Sequence, residues 1–595
     1  MRLGSRVAAT FTVALACVSL AIPVAAATRD PARQADFAAA AAEFHVPVAV
    51  LLAVSYDETA WEAHAGQPST TGAYGPMALV DLPATTPTPK GDGVADLHTL
   101  TTAAHLINTA PSSLRANDDA NIRGGAALLA SYAGNPLPTN VNGWYAAVTR
   151  YGGQDFANTV FATIRTGARA TTTDGQTLTL PADPTATAFA APQTQQQAEC
   201  PRTLTCTFVP AAYARTDPSP LDYGNYDLAD RPAKGLTVDY VVLHDTEESL
   251  SGTISDFQDP NHFASANYVV DGVSGVVTQM VPDSDVAWHA GNWYLNMHAI
   301  GIEQVGFAVQ GATWFTERMY HTTAALVRYL AARYGVHLDR QHIIGHDNVP
   351  GISPAGIPGM HWDPGPFWNW SHFMNLLGQY TIPTAGPNSQ VVTINPVFAD
   401  NIQSVTDCEQ HQQLPPQAAG FVYLRTAPDP NAPLFNDPGL NTGGTTCAAD
   451  WGDKASAGQQ FAVAGRQGEW TAIWWDGAKV WFSDQRATTP TTAFVVQPRP
   501  GLTSVPTFGV AYPDASEYPA AIPPRTVTPL PYTIQMGQSY VLGGPTPTDY
   551  YYAQTINSSL PDDHTDVPGH TRYLEIQLGH RVAFVRAADV RVVSR

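Results

Sequence analysis

The stretch TVDYVVLHDTEE, residues 237–248, decides the fold. Its β-branched run has the length of one strand and is apolar at successive positions, as expected of a strand buried on both faces of a sheet. The same texture continues downstream. ANYVVD (266–271) and GVVTQMVP (275–282) read as a hairpin around Gly272 to Gly275, AIGIEQVGF (299–307) as another strand, and HIIGHD (342–347) as a further one. From Thr316 to Tyr334 the apolar residues Met319, Leu326, Val327, Leu330 and Tyr334 share one helical face, and Gly335 ends that helix. Strands and helix together predict an α/β domain with a mixed sheet over residues 237–382.

On either side the texture changes. Residues 28–168 are Ala-rich, lack strand alternation and predict an all-α domain. Residues 169–236 are expected as a linker and wrapping segment: 169–198 is Thr-, Ala-, Gln- and Pro-rich, and such a tether predicts an energetically independent N-terminal domain. Residues 383–415 form a second expected linker. Beyond it, GEWTAIWWDGAKVWF (468–482) reads as two strands about a turn at Asp476-Gly477, and RYLEIQLGHRVAF (572–584) repeats the pattern. Two small β-barrels are expected, at 416–490 and 530–595, joined by a Pro-rich connector at 491–529. A chain of 595 residues accommodates this multidomain layout.

Composition bounds the partners. The net charge of −21 argues against nucleic acid and anionic membrane as ligands. Arg2 and Arg6 precede an apolar run from Val7 to Val24 and the small residues Ala25 to Ala27, the three-part pattern of a secretory signal peptide over 1–27. The alternative, an uncleaved anchor, fits less well with Pro23 and the small-residue site. A secreted chain without a membrane segment after cleavage is therefore expected. It keeps four cysteines, and their neighbourhood favours Cys200–Cys206 and Cys408–Cys447 among the three pairings that four cysteines allow.

Three strand-end segments carry candidate chemistry. His244 closes VVLHDT, His346 closes IIGHDN, and Asp363 lies in MHWDPG. Two imidazoles, one carboxylate and an open fourth position make a common catalytic zinc set. Glu303 is an acid within an apolar strand and needs a partner or a task. The ligands are far apart in sequence, so spacing alone leaves ordinary structural histidines as the alternative.

Residues 237–371 resemble the zinc-dependent N-acetylmuramoyl-L-alanine amidases, a family that includes the peptidoglycan recognition proteins. The matching stretches are VVLHDTEE (241–248), SANYVVD (265–271), VAWHAGNW (286–293), AIGIEQVG (299–306), IIGHDNVP (343–350) and HWDPG (361–365). The resemblance implies zinc (Zn2+) held by His244, His346 and Asp363, Glu303 as catalytic acid/base, and His361 where relatives place a Lys or Thr that steadies an oxyanion. It further implies bacterial peptidoglycan as partner, and His289, Asn267 and Asn296 at the substrate. Asn267 stands where many members have His, and Asp245 replaces the second His of an HHT stretch. Residues 45–160, with VAVLLAVSYDETAW (48–61), TTGAYGPMAL (70–79) and NGWYAAVTRYGG (142–153), resemble lysozyme-like lytic transglycosylases and place Glu58 as a catalytic acid. The C-terminal hairpins resemble bacterial Src-homology-type wall-binding modules. The expected function is a secreted peptidoglycan amidase. The alternatives are a non-catalytic peptidoglycan-binding protein, or a transglycosylase in which Glu58 carries the main activity.

Overall fold

Strand register decides what the central sheet brings together. The computed structural model describes residues 33–595 except 60, 62, 64–72, 81–98, 173, 175, 188–197, 234, 409–411, 441–442, 486 and 557–563; the expected signal peptide, 1–27, lies outside the described residues. Six strands form the sheet: β1 (Cys206–Phe208), β2 (Tyr240–Asp245), β3 (Tyr268–Val270), β4 (Val277–Gln279), β5 (Ala299–Gln304) and β6 (Ile343–Gly345), in the order β6-β2-β5-β3-β4-β1. β2 runs parallel to both neighbours, β3 and β4 form the antiparallel hairpin, and β1 joins β4 in parallel. The cysteines pair as Cys200–Cys206 and Cys408–Cys447.

Alternate residues of β2 feed two cores, as the two-residue period of a strand requires. Val241 and Leu243 join Ile300 and Ile302 of β5 against Met319, Leu326, Val327 and Leu330 of the helix Glu317–Tyr334. Thr316 caps that helix by accepting from the Met319 amide, and Gly335 ends it in the left-handed conformation at φ 80°. On the other face Tyr240 and Val242 meet Tyr294 and Leu295 of the helix Trp293–His298. The rest of that cover comes from far downstream: Phe508, Tyr512, Tyr550, Tyr551 and Phe584.

Upstream, six helices share one core that includes Val50 to Val54, Trp61 and Trp144: Arg33–Phe44, Val48–Thr59, Thr99–Leu106, Pro111–Ala116, Asp118–Ala133 and Tyr145–Thr166. A hairpin of Ala168–Thr171 and Thr177–Leu180 adds Leu178 and Leu180 to it. These residues fall in the expected linker. Their TLTL alternation buries each Leu and exposes each Thr, a strand signal hidden in a Thr-rich composition. Nor does the helical unit stand apart. Arg318 of the 317–334 helix pairs with Glu58, donates to the Gly152 carbonyl at 3.0 Å, and lies 4.0 Å above the Phe156 ring centre.

The C-terminal third also departs from expectation. A five-stranded sheet takes Val391–Ile394 as a buried strand beside Gln460–Gln467, although 383–415 reads as linker. A seven-stranded sheet takes Phe494–Pro498 and Ser504–Phe508, although 491–529 reads as connector. Proline misled both boundaries: Pro490 sits in the edge strand Thr488–Thr491, and Pro506 beside a register shift, positions where a missing N–H is tolerated. The hairpin of Trp470–Trp475 and Ala478–Ser483 turns through Asp476 and Gly477, both at positive φ.

Candidate functional site

Parallel pairing of β2 with β5 sets Glu303 directly beside His244, and β6 ends at Gly345, so His346 follows on the other side of β2. Asp363 comes in from the loop after β6. His244 Nδ1 lies 3.3 Å from Asp363 Oδ2, and His346 Nδ1 lies 3.2 Å from Asp363 Oδ1. One donor atom from each of the three converges within 4.8 Å, and all three residues are buried. Glu303 Oε1 stands 3.9 Å from His244 Nδ1. Its other oxygen has no hydrogen-bond partner among the described residues.

The electrostatics suit a cation. Burial, with His346 beside it, holds His244 down to about 4, so the ring is neutral at pH 7 and keeps a lone pair. Burial would raise the Asp363 carboxyl, but the His346 and His244 imidazoles beside it outweigh that and hold it well below the usual range. Burial and the Asp363 charge push Glu303 well above the usual carboxylate range. A neutral imidazole beside an ionised, desolvated carboxylate is a donor set that a dication satisfies, and His-His-Asp fits zinc.

His289 lies behind this cluster. His244 Nε2 and His289 Nδ1 are 3.0 Å apart. A metal ion on Nδ1 of His244 would leave the ring's one proton on Nε2, facing His289 Nδ1. Gly301 makes room for this ring: a Cβ there would meet His289 at 2.6 Å. Asn296 Oδ1 accepts from the backbone amides of His289 and Ala290 at 3.2 and 2.7 Å. Asn267 Oδ1 accepts from the Gly301 amide at 3.1 Å.

His289, Asn267 and Asn296 are 8%, 0% and 6% exposed and make these contacts behind the ligand cluster. His361 is different. Its side chain is 70% exposed, its ring stacks 4.6 Å from that of His346, and its Nδ1 lies 3.7 Å from Asp363 Oδ1. Glu58 belongs to no part of this cluster; it is buried against Arg318, and burial raises its carboxyl while the guanidinium opposes that rise. Sequence reasoning missed Gln304, whose Nε2 donates to the His244 carbonyl at 2.8 Å, and Asn348, whose Oδ1 accepts from the Gly345 amide at 3.0 Å. Their signal was adjacency to Glu303 and His346, in IEQ and GHDN.

Comparison with known proteins places this site in context. The family model described as N-acetylmuramoyl-L-alanine amidase matches residues 234–366. N-acetylmuramoyl-L-alanine amidase A of Achromobacter lyticus is 31% identical over 169 residues, covering 27% of this chain and 91% of that protein. Among solved structures, the Staphylococcus aureus hydrolase AmiA in complex with its ligand aligns at 19% identity and a TM-score of 0.23, over 30% of this chain and 83% of that one. The catalytic domain of XlyA aligns at 20% identity and a TM-score of 0.18, over 25% of this chain and 92% of that one.

Proposed function

Because the chain belongs to the N-acetylmuramoyl-L-alanine amidase family, we propose that it is a secreted, zinc-dependent hydrolase of bacterial peptidoglycan. The bond cleaved is the amide between N-acetylmuramic acid and the L-alanine of the stem peptide. One observation carries the zinc reading: His244 Nδ1, His346 Nδ1 and the Asp363 carboxylate converge with Glu303 at their edge. Zinc held there supplies a Lewis acid for the amide carbonyl and lowers the pKa of the attacking water. Glu303 takes the proton of that water on its unpartnered oxygen and returns it to the leaving nitrogen. Water adds to the carbonyl carbon, the C–N bond breaks, and a lactyl carboxylate and a free alanine amine result. His361, exposed at the mouth of the site, donates to the oxygen on which negative charge develops. The two disulfides support an exported chain.

The same reading treats the flanking units as accessories. The lysozyme-like resemblance gives Glu58 a second, glycan-cleaving role; burial raises its carboxyl above the usual range, as a general acid requires, although the Arg318 guanidinium opposes that rise. The wall-binding resemblance of the C-terminal sheets has support in a cavity of about 610 Å³ lined by Tyr423, Arg425, Glu469 and Trp470, which offers rings and charges to a wall fragment.

Digestion of purified cell walls tests the assignment. The whole chain should release alanine amino termini, lose this activity to a chelator and regain it with zinc. Glu58→Gln should leave the amide products unchanged. Walls bound without any new amine would favour the non-catalytic binder, and anhydro-sugar ends without amines would favour the transglycosylase.

A further inference from the structure

The C-terminal third reaches the turn that carries His346 and the loop that carries Asp363. The turn His346–Asn348 is a single 3-10 turn after β6. Asn348 Oδ1 accepts from the Gly345 amide at 3.0 Å and from Arg340 at 3.2 Å, so its amide nitrogen must donate. It donates to His580, to the carbonyl oxygen at 3.0 Å and to Nε2 at 2.9 Å. Arg581 Nε donates to the Asp347 carbonyl at 3.2 Å.

His580 is itself fixed from behind. Gln459 Nε2 donates to its carbonyl at 2.7 Å. The Trp451 ring lies parallel to the imidazole, with centres 4.0 Å apart and planes 8° apart. Trp451 Nε1 then donates to the carbonyl of Trp362 at 3.0 Å. The stacked pair therefore has one end two residues after His346 and the other one residue before Asp363. His580 and Trp451 are each 3% exposed. Both lie far downstream of residue 366, where the amidase family match ends.

We infer that Trp451 and His580 are positioning residues of the metal centre, holding the backbone segments of two of its three ligands at a set separation. The C-terminal sheets are in this view a structural part of the active site as well as any wall-binding unit. The inference rests on the zinc reading above. Its physical basis is that backbone anchors which restrict a ligand's position raise metal affinity, and loss of such outer partners typically weakens it by about ten- to a hundred-fold.

The test is zinc affinity of the purified full-length chain, measured by chelator competition, with circular dichroism and thermal melting as fold controls. His580→Leu should bind zinc about ten- to a hundred-fold more weakly while remaining folded. His580→Gln, which restores an acceptor near the Asn348 amide, should recover part of the loss. Trp451→Phe keeps a ring but removes the bond to Trp362, and should weaken zinc binding in its own right. If His580→Leu does not fold, Trp451→Phe decides. Folded variants with wild-type zinc affinity would overturn the positioning role and leave the zinc site standing. A wild-type chain that binds no zinc would overturn both.

Discussion

At the scale of single residues, the three proposed ligands and the proposed acid/base Glu303 divide into holding and turning over. Asp363 contacts both imidazoles, so Asp363→Ala should abolish bound zinc and amide cleavage together, read by metal analysis and amine release. Stoichiometric zinc in that variant would remove Asp363 from the ligand set. Glu303→Gln leaves the donors intact and removes the proton acceptor. It should keep its zinc and lose about 10²- to 10⁴-fold in kcat. Near-normal turnover would make Glu303 a structural carboxyl.

Elements supply the geometry that these residues need. β5 brings Glu303 beside His244 and, two residues earlier, sets Gly301 under the His289 ring. Gly301→Ala puts a methyl 2.6 Å from that ring and displaces the partner that orients His244. Its zinc affinity should fall by about tenfold, as for other losses of an orienting partner. The same variant should keep its β5 pairing, checked by circular dichroism. An unchanged affinity would show that His289 does not orient the ligand. By contrast Thr316→Ala, which removes a helix cap and the hydrogen bond to the Gly272 carbonyl, should cost about 1–2 kcal/mol of stability and leave zinc affinity alone.

Across the whole molecule, buried polar contacts fasten the C-terminal third to the central sheet. His298 donates from Nε2 to Asp549 at 2.8 Å and from Nδ1 to the Thr237 carbonyl at 3.0 Å, and so is held doubly protonated. Burial lowers its pKa, but the Asp549 charge and hydrogen bond, with Asp239 beyond, raise it to about 9. A folded pKa above the unfolded value of ~6.5 means that the contribution is full below pH ~6.5 and is lost as pH rises through about 9. Denaturant titration of wild type and Asp549→Asn should therefore show the largest stability difference near pH 6 and a shrinking one toward pH 9. A difference that grows with pH would refute the assignment. Close backbone approach fastens the same interface: a Cβ on Gly509 would stand 1.9 Å from the Gly351 carbonyl oxygen. Gly509→Ala should accordingly lower the melting temperature by several degrees, for a cost of about 1–3 kcal/mol.

What the sequence determined by itself was local or positional. Periodicity placed β2, β5, β6 and the helix ending at Gly335, because a strand or helix buries its apolar side wherever it packs. The motifs at 241–248, 343–350 and 361–365 named the three residues that the structure brings within 4.8 Å. The tertiary structure alone decided which side chains face each other. His289 packs behind His244, and Asn267 and Asn296 hold backbone amides, contacts that no local pattern specifies. Proline-rich composition read as linker, yet strands at 391–394 and 494–508 pair with partners distant in the chain. Such pairings, and the stacking of His580 on Trp451, leave no local periodic trace. They arise because the second face of the central sheet is apolar and must be covered, and only the folded chain settles which segment covers it.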